Sequence, residues 1–202
     1  MGKIFYIMGK SASGKDRIYS ILSKDESLGL KRLVLYTTRP IRAGEENGRE
    51  YYFTDENRLE EFRKTNRLIE SRAYHTVHGI WTYFTADDGQ INPQGTDYLG
   101  IGTLESYRKM KEYYGEETVC PIYIQVEDGE RLQRALIREK QQENPRYAEM
   151  CRRFLADQED FSEENILAAG IRIRFENDDL DNCVRNIITV SYTHLRAHET
   201  CA

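Results

Sequence analysis

The chain has 202 residues, 39% of them apolar and 31% charged, with a net charge of −5. That length suits one compact domain with an extension and is too short for two full ones. The acidic balance argues against a broad basic face for nucleic acid, so any basic site has to be local. No apolar run reaches the length of a bilayer span, and the opening MGKIFYIMGK has neither a signal-peptide apolar region nor a cleavage site. Gly2 does not read as a myristoylation site, because Tyr6 stands where that motif needs Ser or Thr. Cys120, Cys151, Cys183 and Cys201 have neither zinc-ligand nor redox-motif spacing and read as thiols of a reducing compartment. The expectation is a soluble cytoplasmic protein with no membrane or nucleic-acid partner.

In chain order, Lys3–Met8 (KIFYIM) is an apolar strand. Gly9-Lys10-Ser11-Ala12-Ser13-Gly14-Lys15 follows it, and Ile18, Ile21 and Leu22 then recur at helical spacing. Arg32–Tyr36 (RLVLY) is a second strand. From Thr37 to about Asn92 the chain is rich in Tyr, Gly and charge, and reads as an inserted subdomain of short strands with one helix near Glu56–Thr65. Tyr98–Ile101, Val119–Val126 and Ile171–Phe175 are further strands; Leu104–Tyr114, Glu130–Lys140 and Tyr147–Phe161 are helices. Strands alternating with helices predict an α/β fold, a parallel sheet covered by helices on both faces.

A final helix begins near Leu180, with Leu180, Val184, Ile187 and Ile188 at roughly helical spacing. It is expected to be cut short. The eleven residues Val190–Thr200, VSYTHLRAHET, can be encoded by a string that looks like the adapter of a transposon-based sequencing library. Residues 190–202 are therefore read as a non-native tail and left out of the fold and the site.

Gly9 and Gly14-Lys15 have the spacing GxxxxGK. Glycines let consecutive backbone N–H groups turn inward around phosphate oxygens. The next helix presents its N-terminus, and the lysine reaches the β- and γ-phosphates. The loop's place between an apolar strand and an amphipathic helix is the context this chemistry needs. Residues 9–16 are thus the expected ATP cradle: Gly9, Lys10, Ser11, Ala12, Ser13, Gly14, Lys15 and Asp16. Asp16 replaces the Ser or Thr whose hydroxyl usually binds Mg²⁺; a carboxylate is also a hard oxygen ligand, so Asp16 is the expected metal ligand.

Thr37-Thr38-Arg39-Pro40-Ile41-Arg42-Ala43-Gly44-Glu45-Glu46-Asn47-Gly48-Arg49-Glu50-Tyr51-Tyr52-Phe53 resembles the guanylate kinase signature TTRPxRxGExNGxxYxF. Arg134 and Arg138 look like that family's paired lid arginines. Arg153 with Gln158 resembles the helix after the lid, and Asn177-Asp178-Asp179-Leu180-Asp181 its adenine-proximal segment. The resemblance spans Lys3 to Ile188. It implies a P-loop three-layer α/β core (1–36, 97–138 and 154–189), a monophosphate-binding insert (37–96) and a short lid (139–153), together one domain over 1–189. It also implies ATP and Mg²⁺, with GMP as the acceptor.

Carried onto this chain, the resemblance gives Arg39, Arg42 and Tyr51 the acceptor phosphate, with Tyr83 as the fourth ligand. Guanidinium forks and a directed phenol suit that task. Glu70 is expected to read guanine, accepting from N1–H and the 2-amino group. Lys15, Arg39, Arg134, Arg138 and Arg153 would stabilise the transferring phosphoryl group, and Asn177 would lie beside the donor base. The family's serine before TTR is Leu35 here, and two of its aspartates align with Gly100 and Gly102. Two other readings stay open on these residues: a kinase for a different monophosphate, or a guanylate-kinase-like module that binds phosphorylated peptides. His75 and His78 are expected at the acceptor cleft rather than on a metal.

Overall fold

The computed structural model describes residues 2–76, 79–92 and 94–199, with side chains through residue 191 in the last helix. Strand β1 (Ile4–Met8) is buried along its whole length, as a strand covered on both faces must be. Helix α1 (Lys15–Leu22) follows the loop, and Ile18 and Leu22 face inward one turn apart.

The single strand expected at Arg32–Tyr36 is two strands. β2 is Lys31–Arg32 and β3 is Tyr36–Thr37, and they belong to different sheets. Between them the backbone finds other partners. Val34 N–H donates to the Gln90 side-chain oxygen (3.0 Å), and the Gln90 amide donates back to the Val34 carbonyl (3.1 Å). One glutamine thus satisfies the chain while it changes sheets. Apolar patterning cannot register that change, because Leu33 and Tyr36 are buried on either side of it.

β4 (Tyr52–Phe53) and α2 (Glu56–Lys64) come next. Asp55 caps α2 by accepting the Arg58 N–H at 2.9 Å. The expected short strands of the insert include a long hairpin, β5 (Leu68–Thr76) and β6 (Gly79–Ala86). β7 (Tyr98–Gly102), α3 (Leu104–Tyr114), β8 (Val119–Gln125), α4 (Asp128–Lys140) and α5 (Tyr147–Asp160) lie close to their expected bounds. Sequence patterning missed α6 (Glu163–Ala168), which is capped by Ser162. Ile171 N–H closes the exit of α6 onto the Ile166 carbonyl, so β9 starts only at Arg174 and runs to Glu176. α7 (Leu180–Glu199) buries Cys183, Val184 and Ile187 and runs on into the residues read as a non-native tail.

Two sheets result: a five-stranded parallel sheet of order β2-β7-β1-β8-β9 and a four-stranded sheet of order β4-β3-β6-β5. The chain forms two compact units. The first comprises the residues through Phe5, Gly29–Gly100 and Glu105–Cys120; the second comprises Tyr6–Leu28, Ile101–Leu104 and the residues from Pro121 onward. Within the first unit, Tyr36, Leu59, Phe62, Phe84 and Ala86 form a core between the four-stranded sheet and α2. Tyr36 stacks on Phe84, with ring centroids 5.1 Å apart.

Candidate active site

In the second unit the loop after β1 is built as tightly as a phosphate cradle requires. A Cβ on Gly9 would lie 2.7 Å from the Ile124 carbonyl oxygen and 2.8 Å from Ser13 Oγ. Gly14 caps α1 at φ +86°, and a Cβ there would lie 2.4 Å from the Asn177 amide nitrogen. Both positions exclude a side chain. Ala12 also sits in the left-handed region, at φ +62°, which costs a non-glycine residue about 1–2 kcal/mol. Ser13 is fully buried, and its hydroxyl has no hydrogen-bond partner among the described residues. A buried orphan hydroxyl in a glycine-bounded loop at a helix N-terminus fits a site that receives phosphate oxygens.

The loop is held from behind. Asn177, buried, donates its side-chain amide to the Ser13 carbonyl at 2.7 Å, and Arg134 donates to the Asn177 carbonyl at 3.1 Å. Ser11 N–H donates to Asp157 at 2.7 Å, while the Ser11 carbonyl accepts from Arg131 at 2.9 Å. Arg131 is 1% exposed; it also bonds Asp128 through Nε (3.0 Å) and Nη2 (2.7 Å) and lies 4.8 Å over the Phe154 ring. Lys10 donates to the Gln158 and Asp128 side chains. Lys15 Nζ lies 3.5 Å from the carboxylate of Asp16, whose side chain is 84% exposed. Arg138 is exposed, and Arg153 makes a long ion pair with Glu149 at 3.7 Å.

Arg131, Asp128 and Asp157 were missed by sequence reasoning. Their only signal was the Asp128/Arg131 spacing of three on one helix. Burial raises the Asp128 pKa, but Gln158, Arg131 and Lys10 outweigh it and hold the carboxyl below its usual range.

In the first unit, register decides which residues share a face. Directly opposed residues lie on the same side of a sheet. Phe84 pairs with Tyr36 and Leu68 with Ala86, all on the core side. Strict alternation would put Glu70 on that side too, two residues after Leu68. The register shifts between Leu68 and Glu70, however, and Glu70 lies opposite Thr85 instead. This bulge turns the carboxylate to the other face, where Arg72 lies opposite Tyr83, and Tyr83 and Phe53 flank Thr37. Sequence alternation has no sign of the extra residue.

That face carries the predicted acceptor residues. Arg39 is 3% exposed, and its guanidinium lies 5.2 Å from both the Tyr51 and Phe53 rings. Tyr51 and Tyr83 meet edge to face at 5.5 Å, and Glu45 first, then Tyr83, favour the charged form of the Arg39 guanidinium. Arg39 also forks onto Glu45 with bonds of 2.7 and 2.6 Å, and the Arg42 N–H donates to the same carboxylate at 2.8 Å. The Arg39 bonds hold the Glu45 pKa down at about 2. Arg42 is exposed. Glu70 is buried, accepts the Thr85 hydroxyl at 3.0 Å and has Arg72 at 3.6 Å. Burial raises its pKa above the usual carboxylate range despite these partners. Thr85 was not singled out from sequence. His75 is exposed near the hairpin tip, and His78 lies outside the described residues. Among the described residues no group of three His, Cys, Asp or Glu side chains could hold a metal ion, and no helix is long and apolar enough to cross a membrane.

A parallel α/β sheet whose first strand runs into this loop defines a P-loop fold. A sequence profile for guanylate kinase matches residues 1–190, and the chain belongs to the guanylate kinase family. It is similar to the guanylate kinase of Porphyromonas gingivalis, 29% identical over 93% of this chain and 95% of that one. A shorter match, 37% identical, links it to the guanylate kinase of Lactobacillus johnsonii over 38% of each chain. The crystal structure of guanylate kinase from Anaplasma phagocytophilum shares the fold, with a TM-score of 0.60 at 20% identity, over 98% of this chain and 86% of that one.

Proposed function

We propose that the chain transfers the γ-phosphoryl group of ATP to a nucleoside monophosphate, GMP, in the cytoplasm. The observation that carries the acceptor is the buried Glu70 carboxylate on the same sheet face as Arg39, Tyr51 and Tyr83. Guanine offers two adjacent donors, N1–H and the 2-amino group, to such a carboxylate. Each bond to a charged group contributes about 1.5–3 kcal/mol. Adenine presents an acceptor there and leaves a desolvated charge unpaired. A polar site of this kind can reject the wrong analogue by roughly 10⁴-fold; Leu35, Gly100 and Gly102 offer no such partners and soften that margin.

Phosphoryl transfer asks the protein for position and charge rather than covalent chemistry. The loop amides, the Ser13 hydroxyl and Lys15 hold the donor's phosphates, and Asn177 and Arg131 keep the loop in shape. Arg39, Arg42, Tyr51 and Tyr83 hold the acceptor's phosphate, whose attacking oxygen is already anionic and needs no general base. Arg134, Arg138 and Arg153 supply positive charge to the transferring group. Asp16, the exposed carboxylate beside Lys15, would hold Mg²⁺, which when bound would supply positive charge to the donor's phosphates.

A coupled assay of ADP release against GMP, dGMP, AMP, CMP and UMP tests the reading. Glu70→Ala should erode the guanine preference, and Arg39→Ala should depress all acceptors alike. If the unmutated protein shows no preference for guanine, or Glu70→Ala leaves the ranking unchanged, the GMP reading falls.

A further inference from the structure

From the geometry around Glu70 we infer that Arg72 is a second base-reading residue, donating to the O6/N7 edge of the acceptor purine while Glu70 accepts from its N1–H and 2-amino group. The inference rests on the acceptor reading above and adds a residue outside the guanylate kinase signature. Arg72 follows Glu70 by two positions on β5 and lies opposite Tyr83, so Glu70, Thr85, Arg72 and Tyr83 share one face. The Arg72 side chain is only 23% exposed, and its Nε is buried without a hydrogen-bond partner among the described residues. The nearest carboxylate oxygen, Glu70 Oε2, lies 3.6 Å from that nitrogen, close enough to attract it and too far to be its hydrogen-bond acceptor. An Arg nitrogen left unsatisfied in a buried wall is a donor awaiting a ligand.

The chemistry of the pair selects that ligand. Along one edge of guanine, the 2-amino group and N1–H are donors, and O6 and N7 beside them are acceptors. A carboxylate next to a guanidinium presents the complementary order, and Arg is well matched to O6 and N7 together. Adenine inverts both central positions: its N1 would meet the carboxylate and its 6-amino group the guanidinium. Arg72 also supplies donors on a chain where Leu35 offers none.

The test uses the full chain with GMP, 7-deaza-GMP (N7 replaced by CH), IMP and AMP. Binding is read by calorimetry and turnover by kcat/KM, for the unmodified protein, Arg72→Met and Arg72→Lys. The expected result is a penalty of about tenfold for 7-deaza-GMP on the unmodified protein, carried by Kd and KM rather than kcat. In Arg72→Met that penalty should vanish and GMP and IMP should weaken together, while AMP changes little. Arg72→Lys should keep part of the N7 dependence.

Three outcomes overturn the inference: no penalty for 7-deaza-GMP on the unmodified protein, a penalty that survives Arg72→Met, or an equal loss for GMP and AMP in that variant. The last would place Arg72 on the phosphate or in the scaffold. The unmodified protein needs no mutation to fold, so its 7-deaza comparison is decisive even if Arg72→Met does not. Turnover with guanine preference but no N7 coupling defeats Arg72 alone. N7-coupled binding without turnover defeats the kinase reading alone.

Discussion

Replacing Arg131 with Met keeps a long apolar stem under the P-loop and removes the guanidinium. In the native protein that group makes two bonds to Asp128 and one to the Ser11 carbonyl, and lies 3.6 Å from Asp157. Breaking a fully buried ion pair by deleting one partner costs about 3–5 kcal/mol. Here the figure is reduced, because the Asp128 side chain is 40% exposed and keeps Lys10 and Gln158, and Asp157 keeps the Ser11 N–H. The expected loss is about 2–4 kcal/mol, seen in urea as a lower midpoint at unchanged slope and in heating as a Tm drop of roughly 5–15 °C. The Ser11 carbonyl loses its anchor, so KM for ATP should rise while KM for the acceptor does not. Sign follows from Asp128, whose folded pKa is depressed: its contribution is present above the unfolded carboxylate pKa and is lost as pH falls through the folded value. The gap between native and Arg131→Met stability should therefore narrow below about pH 4. A loss under about 1 kcal/mol at pH 7, or a gap that widens in acid, would refute the idea that Arg131 is the bolt of this loop.

Gly14→Ala should abolish nucleotide binding and destabilise the protein by more than about 2 kcal/mol, since both its φ and the Asn177 contact forbid a Cβ; Ala12→Gly should be neutral or stabilising by up to about 1 kcal/mol, read by urea unfolding. Asp16→Thr should retain turnover and Asp16→Ala should demand more Mg²⁺; coincident Mg²⁺ titrations for all three proteins would remove Asp16 from the ion. Because burial raises the Glu70 pKa, protonation should weaken GMP binding as pH falls, starting above the ordinary carboxylate range, and Glu70→Gln should flatten that limb of the KM profile.

The glycine-bounded loop and the run from Arg39 to Phe53 were legible in sequence because both are local. Gly9, Gly14 and Lys15 lie within one turn-and-helix, and Arg39 to Phe53 is a single run. What escaped is set by distant parts of the chain. Arg131 meets Ser11 across 120 positions and Asn177 meets Ser13 across 164, and no pattern of apolar residues encodes such polar contacts. The sheet change after Arg32 was invisible because Gln90 mimics a strand with its side chain. The bulge before Glu70 was invisible because one extra residue leaves composition untouched while reversing which face a carboxylate meets.

The Arg39–Glu45 fork has a consequence for what can enter. Arg39 carries a resident counter-ion, and its bonds to Glu45 favour that carboxylate's charged form, holding its pKa down at about 2. An incoming phosphate dianion has the charge to compete for the guanidinium. An uncharged nucleoside, however well its base fits, brings nothing to exchange for Glu45. On the acceptor reading proposed above, this exchange would favour phosphate-bearing ligands over uncharged ones.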